Sequence, residues 1–431
     1  MLKTMDFVRY RLSFLNIKIR GNLTFYEIAP FFTLIERGRN MDFFNGKPLV
    51  YLDNAATTKP SEEVIDYIAD FMNTYYYNPS ASYEYGEYVR NEIEKIRGRV
   101  ANFIGCKPNE IFFTSGGTES DNWALKGTLK QGDHLITSKI EHKAILNTCK
   151  TLEKNGIDVT YLNVDPDYGE IDIDELEAAI RPNTKLISIM MVNNEVGSIQ
   201  DINKIGMIAK KHNIKFHTDA VQAFGKLCID VNKYNIDMLS ASSHKINGLK
   251  GTGFLYVKNG DISSFIDGGE QESHLRGGTE NVIGILGLGK AVEILGQNRE
   301  IVNRWNHVNY LYNHFINMML HDDSNFISYG RNSDCKGFII KNKTPYIINM
   351  CFPNLRGEMI VRLLDSNGIC ASTGSACNTH SDEPSHVLTA MGFTEDEANS
   401  SVRISLSHTN TIEEMEYLAK ILKNIVYQLQ H

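Results

Sequence analysis

The chain has 431 residues, 42% of them hydrophobic and 22% charged, an ordinary globular composition with material for one large domain and a smaller one. A formal net charge of −8 argues against a general nucleic-acid or anionic-membrane surface, which needs clustered Lys and Arg, so small molecules or proteins are the expected partners. Seven cysteines without a CxxC pair or a zinc-type Cys/His spacing predict reduced thiols in a cytosol and no intrinsic metal, and no apolar run reaches membrane-spanning length.

Residues 1–40 differ from the rest, with seven basic against three acidic side chains, a net +4, and neither the apolar core nor the cleavage site of a secretory signal. They read either as a transit peptide directing the chain to an organelle or as a stretch ahead of a start at Met41. From Leu49 onward, β-branched runs alternate with amphipathic stretches in βαβ order. Strands are predicted at 110–115, 134–138, 159–164, 185–192, 215–220 and 237–242, with helices at Lys143–Lys154, Ile173–Ile180 and Ile202–His212. That order implies a mostly parallel sheet covered by helices. One long helix over 290–320, strands within TPYIINMCF (344–352) and VRISLS (402–407), and a helix Ile412–Gln430 predict a second, smaller α+β domain. No repeat or low-complexity linker separates the two, so they should pack together.

In an open parallel sheet, ligands gather at the C-terminal ends of strands, and several such ends here are chemically loaded. FFTSGGTES (112–120) is a strand, two glycines and a helix start, a shape that suits a phosphate but that a plain capping turn would share. HTDAVQ (217–222) puts Asp219 at the end of an apolar strand, where a carboxylate meets a cation or serves as a helix cap. In SASSHKINGLKG (240–251), Lys245 follows a strand; a lysine desolvated there has a lowered pKa and can bond to an aldehyde. Phosphate cup, aspartate and lysine on successive strand ends together meet the needs of pyridoxal 5′-phosphate, which is an aldehyde, a pyridine nitrogen and a phosphate. In ICASTGSACNTHSDEPSHV (369–387), Cys377 stands among small polar residues instead of in an apolar interior.

Read with YLDNAATT (51–58), TSGGTESDN (114–122), EHKA (141–144), VNNEVG (192–197), RGGTEN (276–281) and STGSACNTHSDEPSHVL (372–388), the chain resembles the cysteine desulfurases of the class V aminotransferase group, from about Leu49 to the C-terminus. The resemblance implies a pyridoxal-phosphate-dependent fold type I, with a segment 41–54 packing on the small domain, a large cofactor-binding domain 55–295 and a small domain 296–431 that carries the catalytic cysteine loop. It implies that Lys245 bonds to the cofactor, that Asp219 keeps the pyridine nitrogen protonated and that Gln222 donates to the phenolic oxygen. His142 would lie over the ring and carry protons; Gly117, Thr118, Ser242 and His244 would hold the phosphate, and Thr279 would reach the phosphate of the other subunit of a homodimer. Asn194 would touch both cofactor and substrate, and with Arg403 would hold the substrate carboxylate. Cys377 would take sulfur from L-cysteine as a persulfide, release alanine and pass the sulfur to an acceptor for iron–sulfur cluster assembly or tRNA thiolation, ligating a cluster with a scaffold protein only in transit. Cys370 reads as a packed core thiol.

Three positions depart from the family pattern: Glu270 and His274 stand where glycine is more frequent, and Leu249 where proline is usual. They bear on loop geometry near the cofactor. Two other readings are a selenocysteine lyase or related lyase using the same cofactor, and a metal-binding scaffold using Cys377, His380 and His386, whose spacing fits no common zinc site.

Overall fold

A computed structural model describes residues 42–44, 47–320, 327–328, 343–373 and 383–431. Its largest sheet contains β3 (Ile111–Thr114), β4 (His134–Ser138), β5 (Asp158–Leu162), β6 (Thr184–Ser188), β7 (Lys215–Asp219), β8 (Met238–Ser242) and β9 (Gly253–Val257), in the order β3-β9-β8-β7-β6-β4-β5. Every pair from β8 through β5 is parallel, whereas β9 is antiparallel to both of its neighbours. Two strands antiparallel to the same strand run the same way, so β3 shares the direction of β8 and β7. The ends of β3, β8, β7 and β4 therefore open on one edge of the sheet.

Both faces of this sheet are covered. On one lie α1 (Glu62–Thr74), α2 (Glu84–Ile104) and α7 (Val282–Leu295), sharing a core with α5 (Ile173–Ala178) and α6 (Ile202–Lys211). The apolar positions of α2 recur three and four residues apart, Val89, Ile93, Ile96, Val100 and Ile104, which places them on one buried stripe. On the other face, α3 (Gly117–Lys126) and α4 (Lys143–Lys154) bury Trp123, Leu125, Ile145 and Leu152. Apart from the edge strand β5, the strands are buried along nearly their whole length, as a sheet covered twice requires.

A separate core joins α8 (Glu300–Leu320), β11 (Ile347–Cys351), α9 (Gly357–Ser366), β13 (Ser401–Ser405) and α12 (Ile412–Gln430), and it includes Val50, Leu52 and Ala55 from the N-terminal side. There β2 (Lys47–Tyr51) pairs antiparallel with β1 (Asp42–Phe44) and parallel with β12 (Ile369–Cys370), while β11 lies between β10 (Ile327–Ser328) and β13. Two short helices, α10 (His386–Ala390) and α11 (Glu395–Asn399), precede β13.

Three expectations are corrected. The single helix over 290–320 is two, because Gly296 ends α7 and Asn298 and Arg299 take left-handed conformations (φ 44° and 61°) before α8 begins. The strand expected over 185–192 leaves the ladder after Ser188: Ile189 and Met191 still donate to His217 and Asp219 carbonyls, and the chain then turns at Asn193. Strand β9 was not anticipated; its apolar run GFLYV follows a glycine-rich stretch that resembles only a loop.

Candidate active site

Four chain segments converge at the sheet edge. After β7, Asp219 is buried; one carboxylate oxygen accepts the Val221 N–H at 2.8 Å, and burial pushes its pKa up to about 6, against the pull of that bond and of Lys245. After β8, a tight turn over Ser243–Lys245 delivers Lys245, whose Nζ donates to the Ala56 carbonyl at 2.7 Å and to the Ala55 carbonyl. His244 beside it meets Thr57 Oγ1 through Nδ1 at 3.1 Å, and its carbonyl accepts from Thr58, so the YLDNAATT stretch closes over this turn. Burial and the neighbouring Lys245 push His244 down to about 4, leaving it neutral near pH 7.

After β4, His142 caps α4: its Nδ1 accepts the Ala144 N–H at 3.2 Å. That bond assigns the ring proton to Nε2. Burial, then Lys245 and Lys143, push His142 down to about 4, so the imidazole is a neutral N–H donor, and it takes up a proton at Nδ1 only by releasing its cap. After β3, Gly116 has φ 149° and no side chain caps α3, so the first N–H groups of this ten-residue helix are left for another acceptor. A Cβ on Gly117 would lie 2.6 Å from Val221 Cγ2, and one on Gly116 would lie 3.6 Å from Ser242 Oγ, so the glycines bring this helix start against both Ser242 and the Asp219 turn.

The residues named from the sequence thus separate into groups. Gly117, Ser242, Asp219, Gln222, Lys245, His244 and His142 lie at this edge. Gln222 Nε2 donates to the same Ala55 carbonyl that Lys245 uses, at 2.9 Å. Asn194 and Arg403 meet through the backbone: Arg403 Nη1 donates to the Asn194 carbonyl at 3.1 Å, and Nη2 to Asp53 Oδ1 at 2.8 Å. Among the described residues, the Nε of this buried arginine has no hydrogen-bond partner, a donor available to an anionic ligand. Thr118 is the second residue of α3, and Thr279 is exposed, lining a surface cavity with Ser115 and Arg276. Cys377 and His380 lie outside the described residues. Cys370 is half-buried with its thiol pushed up by burial, chemistry that disfavours a thiolate.

Some site residues were not singled out from the sequence. Asp53 pairs with Arg403; buried Glu195 accepts from Ser385 Oγ at 2.5 Å and is pushed up to about 7 by burial. Glu141 lies beneath His142, bonded to Ser138 Oγ and the Met190 N–H, and burial pushes it up to about 8. Asp121 is buried near Asp219, its carboxyl raised by burial and by that neighbour, with His217 Nε2 3.8 Å away. The available signal was an acid inside an apolar context, as in YLDN and NNEVG.

This set fits pyridoxal phosphate: a helix start without a side-chain cap and Ser242 suit the phosphate, the buried Asp219 carboxyl suits a pyridine N–H, and Lys245, whose Nζ meets the Ala55 and Ala56 carbonyls, suits an aldehyde. Among the described residues, no group of three or more His, Cys, Asp or Glu side chains is placed to hold a metal, and no helix is long and apolar enough to cross a membrane.

Comparison with known proteins agrees. Residues 50–418 match the family described as aminotransferase class-V. The chain is 45% identical over 387 residues to a cysteine desulfurase IscS of Methanosarcina thermophila, covering 89% of this chain and 93% of that one, and 40% identical over 408 residues to a mitosomal cysteine desulfurase of Encephalitozoon cuniculi, covering 92% and 91%. Among solved structures, a NifS-like protein superposes with a TM-score of 0.80 at 36% identity, covering 88% of this chain and 99% of its own, and SspA in complex with cysteine gives 0.72 at 40%, covering 84% and 100%. With the strand-end lysine and aspartate on a fold type I sheet, these likenesses lead to one conclusion: the chain belongs to the aminotransferase class-V family and, within it, to the cysteine desulfurases.

Proposed function

We propose that this desulfurase takes sulfur from L-cysteine through Lys245, with pyridoxal phosphate seated on Asp219 and the start of α3, and that Cys377 receives the sulfur. The observation that carries the reading is the convergence of Lys245, Asp219 and His142 at one edge: Lys245 charge is felt by both other side chains. The SspA complex with cysteine supports the choice of substrate. Bound there, the cofactor supplies an electron sink that labilises first the Cα–H and then the Cβ–S bond of cysteine.

The chain's own residues do the remainder. Asp219 holds a proton between its carboxylate and the pyridine nitrogen; Gly117, Thr118, Ser242 and His244 hold the phosphate, and Thr279 reaches that of the other subunit in a homodimer. Arg403, whose Nε has no partner among the described residues, and Asn194 hold the substrate carboxylate. Lys245 Nζ moves the α-proton. His142, neutral, donates from Nε2, orienting the substrate from above. The Cys377 thiolate bonds to the substrate sulfur as the Cβ–S bond breaks, Cβ takes a proton, and alanine leaves with a persulfide on Cys377. The persulfide then passes to an acceptor protein for iron–sulfur cluster assembly or tRNA thiolation.

Changing Cys377 to Ala should abolish alanine and sulfide release while a Lys245-dependent yellow absorbance persists; full activity in that variant would refute the reading. The free cysteines among the described residues support a cytosolic place of work, and the mitosomal relative makes organelle targeting by residues 1–40 the competing outcome, which fractionation of a tagged full chain decides.

A further inference from the structure

Lys226 is a buried lysine that the reaction as described does not use. It follows β7 by seven residues, at the end of a turn closed by Phe224 and Leu227 N–H donating to the Ala220 and Ala223 carbonyls. Gly225 makes that placement possible. Its φ is 74°, and a Cβ there would come within 2.6 Å of Ile246 and 2.7 Å of Leu295, so only glycine turns the chain tightly enough to send the next side chain inward. Gln222 and Lys226 are four residues apart on the turned backbone and face the same way. Lys226 Nζ donates to Gln222 Oε1 at 2.9 Å, and 5.3 Å away it faces the ring of Tyr346 from the C-terminal domain.

When protonated, Lys226 can only donate, so Gln222 Oε1 faces Lys226 and Gln222 Nε2 faces the site. One Nε2 hydrogen goes to the Ala55 carbonyl, and the other is left for an acceptor in the cleft. The charges around Lys226 are Lys245, Arg403 held by Asp53, and Arg304 held by Glu300, with His244 neutral beside them. Among the described residues no carboxylate is ion-paired to Lys226, which lines a small cavity with Lys245, Arg304 and Tyr346. Burial and these cations push it down to about 7, which keeps it partly charged near neutral pH.

We propose that Lys226 is a positioning residue: it locks the Gln222 amide so that an N–H is presented to the phenolic oxygen of the cofactor, and thereby favours the ionised oxygen. This rests on the cofactor seating described above. Removing Lys226 frees the Gln222 amide, and a freed donor favours the ionised oxygen less, so protonation at the lysine-bound cofactor becomes easier.

The test is a spectrophotometric pH titration of purified holoenzyme, reading the midpoint at which the Lys245-dependent absorbance band changes. Lys226→Met keeps length and apolar bulk, and Lys226→Gln retains one donor; both should raise the midpoint, the Met variant by about half a pH unit or more. In a Gln222→Ala background, Lys226→Met should add little further shift, because the lysine acts through the amide. An unchanged midpoint in Lys226→Met, or the same shift with and without Gln222, overturns the proposal. If Met leaves too little folded protein to titrate, the Gln variant and its pairing with Gln222→Ala decide alone. Absence of any Lys245-dependent band in the unmodified enzyme would instead sink the cofactor seating itself, so the two failures are distinguishable.

Discussion

Glu272 is the side chain on which the loop toward Thr279 hangs, and its removal makes a worked test. Its backbone is left-handed (φ 45°), as are Ser273 (58°) and His274 (66°), so three consecutive residues hold a conformation that costs L-residues about 1–2 kcal/mol each. What holds them is a buried cluster: Glu272 accepts from Arg97 Nη1 and Nη2 at 2.7 and 2.9 Å and from the Phe113 N–H at 2.8 Å, while the guanidinium lies 4.7 Å over the Phe113 ring. Glu272→Ala leaves Arg97 charged in the interior and the Phe113 N–H without an acceptor. Breaking a buried pair costs about 3–5 kcal/mol. Arg97 keeps Glu94 and the Ile111 carbonyl, which places the expectation near the lower limit, about 3 kcal/mol. Glu272→Gln retains shape and some bonds and should cost about 1–2 kcal/mol. Urea unfolding at fixed protein concentration, followed by the fluorescence of buried Trp123 and by circular dichroism, gives these values. A loss below about 1 kcal/mol in the Ala variant, or strict additivity of Glu272→Ala with Arg97→Met, would refute the reasoning.

The neighbouring position should respond in the opposite direction. His274→Gly relieves a left-handed histidine on an exposed loop and should stabilise by up to about 1 kcal/mol, seen as a raised Tm; a lowered Tm would mean the ring makes contacts that outweigh the strain. Glu195 predicts a pH dependence. Its folded carboxyl keeps a proton up to about pH 7, whereas an unfolded one releases it near 4.5, so its contribution is full below 4.5 and is lost as pH rises through 7. Glu195→Gln should therefore gain stability relative to the parent between pH 5 and pH 8, by about 2 kcal/mol, and an equal difference at both pH values would count against this. Arg403→Lys keeps charge but loses the fork that spans Asp53 and Asn194; kcat/KM for cysteine should fall about 10–100-fold, chiefly through KM, and an unchanged KM would remove Arg403 from substrate binding.

Much of the molecule could be read along the chain, and the reasons are local. Helix Lys143–Lys154 matches its predicted bounds because His142 caps it and Leu152 ends an apolar stripe, both properties of adjacent residues. The lysine and aspartate were legible because a polar residue directly after an apolar strand must meet something, and in a parallel sheet all such residues meet at one edge. Strand β9 and the break at Gly296–Arg299 were not, since the first follows a glycine-rich stretch and is completed by pairing with β3 more than 130 residues earlier, and the second depends on left-handed residues that are not glycine.

The charges inside the molecule belong to tertiary structure. Lys226 and Glu141 are common residue types at unremarkable positions, and nothing in their neighbours along the chain says that they are buried. Packing the two cores together sets Lys226 against Tyr346, and folding of the smaller core sets Arg403 against Asp53 across 350 residues. By itself the sequence determined which reactive groups exist, and in what order the strands present them. Which of those groups lose water, and so have their proton affinities moved and their hydrogen bonds directed, was decided by the fold, because desolvation depends on everything that surrounds a side chain and not on what precedes it.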